Sequence, residues 1–393
     1  MTSFSRRVLA AKPSASLAVS ARAIQLKREG RDIVSLSVGE PDFPVFPHVA
    51  QAVEDALRKG YTKYTTSSGI AELREAIADW MQAEVGQRYA VAQIICTAGA
   101  KQALYNACQA LLDDGDEAVI PNPYWVSYPD LVRLAEAKPV EMITRAEEEW
   151  HPDPDALARV VTPRTKVVML GSPSNPTGAV WSKEAMKGIA RVLERHPQIT
   201  ILSDDIYHRL VYGGARACNI LEVAPQLRDR TVLINGCSKA YAMTGLRLGW
   251  ACGPQEIIAA MNKVQDSSTS NPNSLAQYAA VAALRGPQEG VEAMRAQFER
   301  RRDLIVELVR AIPRVRCARP EGAFYLFCDV SAYLGRVPDD VKLSQVLLEE
   351  HGVAVVPGSA FGQPGYLRLS FATSDSMIRA GVERMSRGLQ SLV

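Results

Sequence analysis

No part of the sequence stays apolar long enough to cross a bilayer as a helix. The longest stretch without Asp, Glu, Lys or Arg, 267–284, has 18 residues, and its first half is Ser, Thr, Asn and Pro. The opening residues, Met1-Thr2-Ser3-Phe4-Ser5-Arg6-Arg7, lack the apolar core of a secretory signal. Cysteine is sparse: the seven residues, at 96, 108, 218, 237, 252, 317 and 328, never form a Cys-x-x-Cys pair. That distribution predicts free thiols in a reducing cytoplasm and no disulfide framework. The five histidines (48, 151, 196, 208, 351) show no ligand spacing, so no metal is expected. Neither charge dominates: Lys+Arg 45 against Asp+Glu 43 leaves a net +2. This balance argues against a nucleic-acid partner or a polybasic membrane contact. The one dense basic cluster, Arg300-Arg301-Arg302 between Glu299 and Asp303, is expected to be a solvated helix face. There is no internal repeat and no low-complexity tract.

What is present is a large apolar inventory. Hydrophobic residues make up 47% of the 393 and charged residues 22%, enough for a sizeable core. At roughly 100–200 residues per domain, two domains are expected. After a basic arm ending near Pro13, 14–29 reads as a helix closed by Gly30. Between 94 and 252, short and fully apolar runs recur at 94–96, 118–120, 167–170, 199–202, 232–234 and 248–252, with a weaker seventh at 140–142. Continuous apolar strands suit a sheet covered on both faces, whereas a half-exposed sheet alternates. Helical stretches lie between them at 101–112 and 182–194, the latter with Ser182 as N-cap. Only 235–247 separates 232–234 from 248–252, and it looks like loop, so that last strand is expected to run antiparallel.

The fold expected is therefore α/β: a mainly parallel seven-stranded sheet with helices on both faces, plus a smaller α+β domain. In that smaller domain a long helix at 287–309 precedes strands at 323–328, 353–356 and 366–371. The boundaries expected are 1–45 for an N-terminal arm and part of the small domain, 46–285 for the large domain and 286–393 for the rest of the small one.

Ligands of an open parallel sheet bind beyond the carboxyl ends of its strands. The segments that follow the strands bring there Gly99-Ala100-Lys101, Tyr124-Trp125, Asn175-Pro176-Thr177-Gly178, Asp204-Asp205-Ile206-Tyr207 and Ser238-Lys239, with Arg247 preceding the reversed strand. No Gly-x-Gly-x-x-Gly follows the first strand and no Gly-x-x-x-x-Gly-Lys-Ser/Thr occurs, which counts against dinucleotide and triphosphate binding. An amine, a carboxylate, a phenol, an amide, an indole and a helix start beside an arginine do match the needs of pyridoxal phosphate (PLP) chemistry.

Taken together, these motifs resemble the fold type I, class I aminotransferases. The resemblance rests on Ser238-Lys239-Ala240-Tyr241-Ala242-Met243-Thr244-Gly245-Leu246-Arg247 and on the Asn175 and Asp204 motifs. It extends over Lys12-Pro13-Ser14, Gly39-Glu40-Pro41-Asp42-Phe43, Lys63-Tyr64, Gly99-Ala100-Lys101-Gln102, Tyr124-Trp125-Val126-Ser127-Tyr128, Gly322-Ala323-Phe324-Tyr325 and Leu367-Arg368-Leu369-Ser370. The nearest branch is bacterial aspartate aminotransferase, including enzymes that also use prephenate. The sequence departs from the branch at Pro44-Val45-Phe46-Pro47, at Leu246 and at Asp266-Ser267.

The resemblance implies a role for each residue. Lys239 would form the imine with the cofactor aldehyde and afterwards carry the proton between substrate Cα and cofactor. Asp204 would pair with the ring nitrogen, while Asp205 is expected to cap the next helix or to be exposed. Tyr207 and Asn175 would bond the ring oxygen, and Trp125 would lie on the ring face. Gly99, Ala100, Lys101, Ser238 and Arg247 would hold the phosphate, joined by Tyr64 of the other subunit, which implies a homodimer. Arg368 would grip the substrate α-carboxylate beside the backbone of Gly39, and Lys101 and Lys12 are candidates for a second carboxylate. The function implied is transfer of an amino group between aspartate or glutamate and a 2-oxo acid. The alternatives are prephenate, aromatic or other neutral substrates, a β-eliminating lyase, and a ligand-sensing regulator, for which the start of the chain leaves no room.

Overall fold

The computed structural model describes residues 4–11 and 15–392. All seven apolar runs are strands of one sheet, in the order Ile94–Thr97, Gly249–Cys252, Thr231–Gly236, Thr200–Asp204, Thr165–Leu170, Glu117–Asn122 and Lys138–Ile143. Gly249–Cys252 is antiparallel to both its neighbours, and the other pairings in the sheet are parallel. The continuous apolar runs follow from burial on both faces. Successive residues alternate between two cores: Val168, Leu170, Ile201 and Leu233 enter one, and Val167, Met169, Leu202 and Val232 the other. The run at 140–142 is weak because Lys138–Ile143 is the edge strand, with most of its residues at least partly exposed.

Helices cover both faces. Lys183–Glu194 is capped as its sequence predicts, with the Ala185 N–H donating to Ser182 Oγ at 3.1 Å, and it buries Met186, Ile189, Ala190 and Leu193. Ala100–Leu111 follows the first strand of the sheet directly. The helix expected from residue 14 runs over Ala15–Arg28, and Gly30 follows it at φ +85°.

A separate core surrounds a four-stranded sheet ordered Val356–Pro357, Tyr366–Ser370, Tyr325–Asp329 and Arg316–Cys317. The two-residue strand Arg316–Cys317 is too short to show a period in the sequence. The segment expected as one strand at 353–356 is split: Val353–Ala354 pairs in parallel with Val34–Ser35, and Val356–Pro357 joins the four-stranded sheet. The long helix Glu289–Arg310 packs on this sheet and corrects the reading of its basic cluster. Only Arg300 is solvated. Arg301 is buried with both Nη atoms on Asp42 (2.7 and 3.0 Å), and Arg302, 2% exposed, donates to Asp303 and to the Pro320 carbonyl. Each buried guanidinium has acceptors brought from outside its own turn, which a run of three arginines cannot reveal. No helix among the described residues is long and apolar enough to cross a membrane.

Candidate active site

The carboxyl edge of the large sheet and one end of the small sheet enclose a cavity of about 600 Å³. Its lining includes Gly39, Lys101, Trp125, Asn175, Asp204, Tyr207, Ser238, Lys239, Arg247 and Arg368, residues drawn from segments spread over more than 300 positions.

The floor comes from the ends of the parallel strands. Asp204 closes Thr200–Asp204 and is 8% exposed, with Oδ2 accepting from the Tyr128 hydroxyl at 2.9 Å. Burial pushes its carboxyl up to about 6, against the pull of the Tyr128 hydrogen bond. Asp205 corrects its expectation, being neither a cap nor exposed. Its carboxyl turns into the protein, accepts from Ser203 Oγ at 2.7 Å and from Asn219 Nδ2, and is raised to about 8 by burial. Lys239 follows the Thr231–Gly236 strand, with Nζ donating to the Gly39 carbonyl at 2.6 Å. Desolvation lowers its ammonium to about 8, and Arg247 and Arg368 add to that effect against Glu40 and Asp204. A lysine so placed is a nucleophile at mild pH.

An anion cup lies beside these groups. Gly99 stands at φ +86° at the start of Ala100–Leu111, and a Cβ there would fall 2.6 Å from Arg247 Nη2. Arg247 itself is held at φ +56° and donates to the Thr244 and Ala98 carbonyls at 2.8 and 3.3 Å. A helix start, a guanidinium and the buried Ser238 together suit a phosphate. Trp125 forms part of the cavity wall, edge-on to Tyr128, and is not a core residue. Lys101 Nζ lies 4.8 Å from the Trp125 ring centre, its pKa lowered by burial and by Arg247.

The opposite wall comes from the small sheet. Arg368, in the middle of Tyr366–Ser370 and 3% exposed, donates to Asn175 Oδ1 at 3.0 Å and to the Ser37 carbonyl at 2.8 Å. Its guanidinium stacks 4.3 Å from the Tyr325 ring and 5.0 Å from Phe361. Tyr207 is buried, its hydroxyl 2.8 Å from that of Tyr325.

One expected residue is not in this cluster. Tyr64 is 92% exposed and outside the cavity lining, and Lys12 lies outside the described residues. Three contributors went unassigned in the sequence. Tyr128 and Tyr325 stood in quoted motifs without a role. Gln265, beside the Asp266 departure, is fully buried and donates to the Ser67 and Cys96 carbonyls at 2.7 and 2.9 Å, joining the loop after Tyr64 to the strand that leads into the cup.

Donor set and cavity fit a vitamin B6 phosphate: one anion cup, one aromatic wall, one buried carboxylate and one amine of lowered pKa. Comparison with known proteins agrees. The family Aminotransferase class I and II matches residues 31–385. Aspartate aminotransferase of Geobacillus stearothermophilus is 45% identical over 390 residues, covering 98% of both chains. Aspartate/prephenate aminotransferase of Thermus thermophilus is 45% identical over 392 residues, 99% of each. The solved structure of aspartate aminotransferase from Thermus thermophilus with maleate superposes at TM-score 0.94 over 99% of this chain and all of that one, at 45% identity. The aspartate aminotransferase structure from Rhizobium meliloti gives 0.95 over the whole of both chains, at 42%.

Fold and site define a PLP-dependent transaminase of fold type I. The chain belongs to the class I and II aminotransferases.

Proposed function

We propose that the protein moves an amino group between aspartate or glutamate and a 2-oxo acid. The observation that carries this reading is the pairing of two cations in one cavity, the buried Arg368 and the partly desolvated Lys101. A guanidinium packed against two aromatic rings offers a planar, two-point grip on an α-carboxylate. Lys101 would meet a second carboxylate, a task that Lys12 would share. The names of the Geobacillus and Thermus relatives support an acidic substrate. Prephenate remains the alternative acceptor, because the same two cations suit its two carboxylates.

In this reading Lys239 Nζ would hold the cofactor aldehyde and, once free, would move the proton at the substrate Cα. The bound cofactor supplies an electron sink for the pair left when Cα loses its proton. Asp204 would keep the ring nitrogen protonated, its carboxylate held by the Tyr128 hydroxyl. Tyr207 and Asn175 would bond the ring oxygen, Trp125 would cover the ring face, and Gly99, Ala100, Lys101, Ser238 and Arg247 would hold the phosphate. The backbone of Gly39 would lie against the substrate carboxylate.

The exposed Tyr64 supports a homodimer in which each cup is completed by the partner subunit. Seven free cysteines, six of them buried, support a cytoplasmic setting. The domain division proposed is an arm and small-domain portion at 1–45, a large domain at 46–285 and the remainder of the small domain at 286–393. The core around the small sheet, separate from those of the large sheet, supports it.

The test is Lys239→Ala. The variant is expected to retain no cofactor covalently after borohydride reduction, and to lose turnover by at least about the 10²–10⁴-fold typical of a proton-transfer group. Covalent trapping that persists would reject the lysine assignment. Turnover over a panel of amino donors, with aspartate and glutamate inert, would reject the acidic substrate.

A further inference from the structure

We infer that Tyr325 is a positioning residue that joins the grip on the substrate carboxylate to the hydrogen bond on the cofactor ring oxygen. The inference rests on the roles proposed above for Tyr207 and Arg368. Tyr325 is buried at the start of Tyr325–Asp329, the strand whose Phe327 pairs with Arg368. Its two ends do different things. The ring face carries the Arg368 guanidinium at 4.3 Å, and the hydroxyl meets the Tyr207 hydroxyl at 2.8 Å. The same hydroxyl lies 2.8 Å from where a Cβ on Gly39 would be, which keeps the Gly39 backbone close enough for its carbonyl to accept from Lys239 Nζ.

Proton counting sets the direction of the phenol pair. Tyr207 has one hydroxyl proton. If that proton goes to the ring oxygen, Tyr207 can only accept from Tyr325. The order is then Tyr325 to Tyr207 to ring oxygen, and each donor strengthens the next. A stronger Tyr207 donor draws negative charge from the ring oxygen, so the nitrogen shared by Lys239 and the cofactor holds its proton less tightly. Tyr325 therefore lowers the pH at which the visible band of the bound cofactor titrates, without touching the cofactor. Burial raises the pKa of both phenols, with desolvation the largest cause, so both stay protonated donors through neutral pH.

Two substitutions separate the two ends. In the Tyr325→Phe holoenzyme the ring remains and the hydroxyl is gone. The midpoint of the visible band is expected to rise by about half to one pH unit, the effect of one hydrogen bond. The dissociation constant of maleate, an unreactive dicarboxylate, is expected to change by less than about threefold. In Tyr325→Leu the ring is gone too, and maleate affinity is expected to fall about tenfold. A purely structural residue would move maleate binding equally in both variants or leave the midpoint fixed, and either result overturns the inference. Tyr207→Phe is the control. If it shifts the midpoint and Tyr325→Phe does not, only the relay fails. If neither shifts it, the role given to Tyr207 fails and the relay with it.

Discussion

The large-sheet wall of the cavity carries its chemistry on loops that leave the ends of parallel strands, whereas the small-sheet wall carries Arg368 within a strand. Asp204, Lys239 and Gly99 lie at or just beyond strand ends, and Arg368 has ladder partners on both sides. The electrostatics differ in the same way. Asp204 is raised to about 6 and Lys239 lowered to about 8, each mainly by desolvation, so each is held in an environment that disfavours its charge. Arg368 is desolvated as well, but a carbonyl, an amide and two rings surround its guanidinium. In the roles proposed for them, the buried groups of the first wall would be relieved by a cationic ring and an aldehyde. The other is already organised for an anion.

The largest break in that contrast should come from Asp204→Asn. Removing one partner of a buried charge pair costs about 3–5 kcal/mol, so turnover should fall about 10²–10⁴-fold and cofactor should bind more weakly. Steady-state rates at saturating cofactor and a cofactor titration followed by absorbance measure the two effects. Turnover within tenfold of the parent would mean that Asp204 does not face the ring nitrogen.

Arg368→Lys probes the other wall and should cost less. An ammonium keeps the charge but loses the planar two-point contact and the stacking on Tyr325 and Phe361. A loss of about 1.5–3 kcal/mol corresponds to about 10- to 150-fold in kcat/KM, expressed chiefly in KM. Cofactor affinity should be unchanged. If cofactor affinity fell with substrate affinity, the two walls would not be separable.

The two walls were also unequally legible in the sequence. The large sheet was readable because each strand is apolar on both faces and because the polar residues after each strand end converge by topology. Its edge strand was faint because exposure removes the apolar signal. The small sheet was only partly readable, since Arg316–Cys317 and the pairs at 353–357 are too short for any period. Contacts made across long separations left no trace. Tyr325 meets Tyr207 across 118 positions and Arg301 reaches Asp42 across 259, so neither the phenol pair nor the burial of Arg301 could be read from neighbours. Asp205 was misread for a related reason. Its partners Ser203 and Asn219 turn it inward, while its place after Asp204 suggested a cap.

The smallest expected effect belongs to that second carboxylate, and it concerns the stability of the apoprotein. Asp205 is raised to about 8 from its ordinary 3.8, so the folded state holds its proton more tightly than the unfolded state. Its stabilising contribution is complete below about 4 and is lost as pH rises through about 8. Asp204 behaves likewise but is finished by about 6. His208, Lys239 and Lys101, each with a lowered pKa, act in the opposite sense. His208, lowered by burial, has completed its change once pH exceeds its ordinary 6.5, and Lys239 begins to add stability only above about 8. Between about pH 7 and 8 Asp205 is therefore the carboxyl that makes stability fall. The Tm of the apoprotein should fall across that interval, and Asp205→Asn should flatten the fall, whatever its absolute Tm after losing one acceptor for Ser203 or Asn219. Differential scanning calorimetry at half-unit pH steps measures both slopes. Equal slopes in parent and variant would mean that the carboxyl is ionised in the fold by neutral pH, and that the strained charge of the large-sheet wall resides in Asp204 and Lys239 alone.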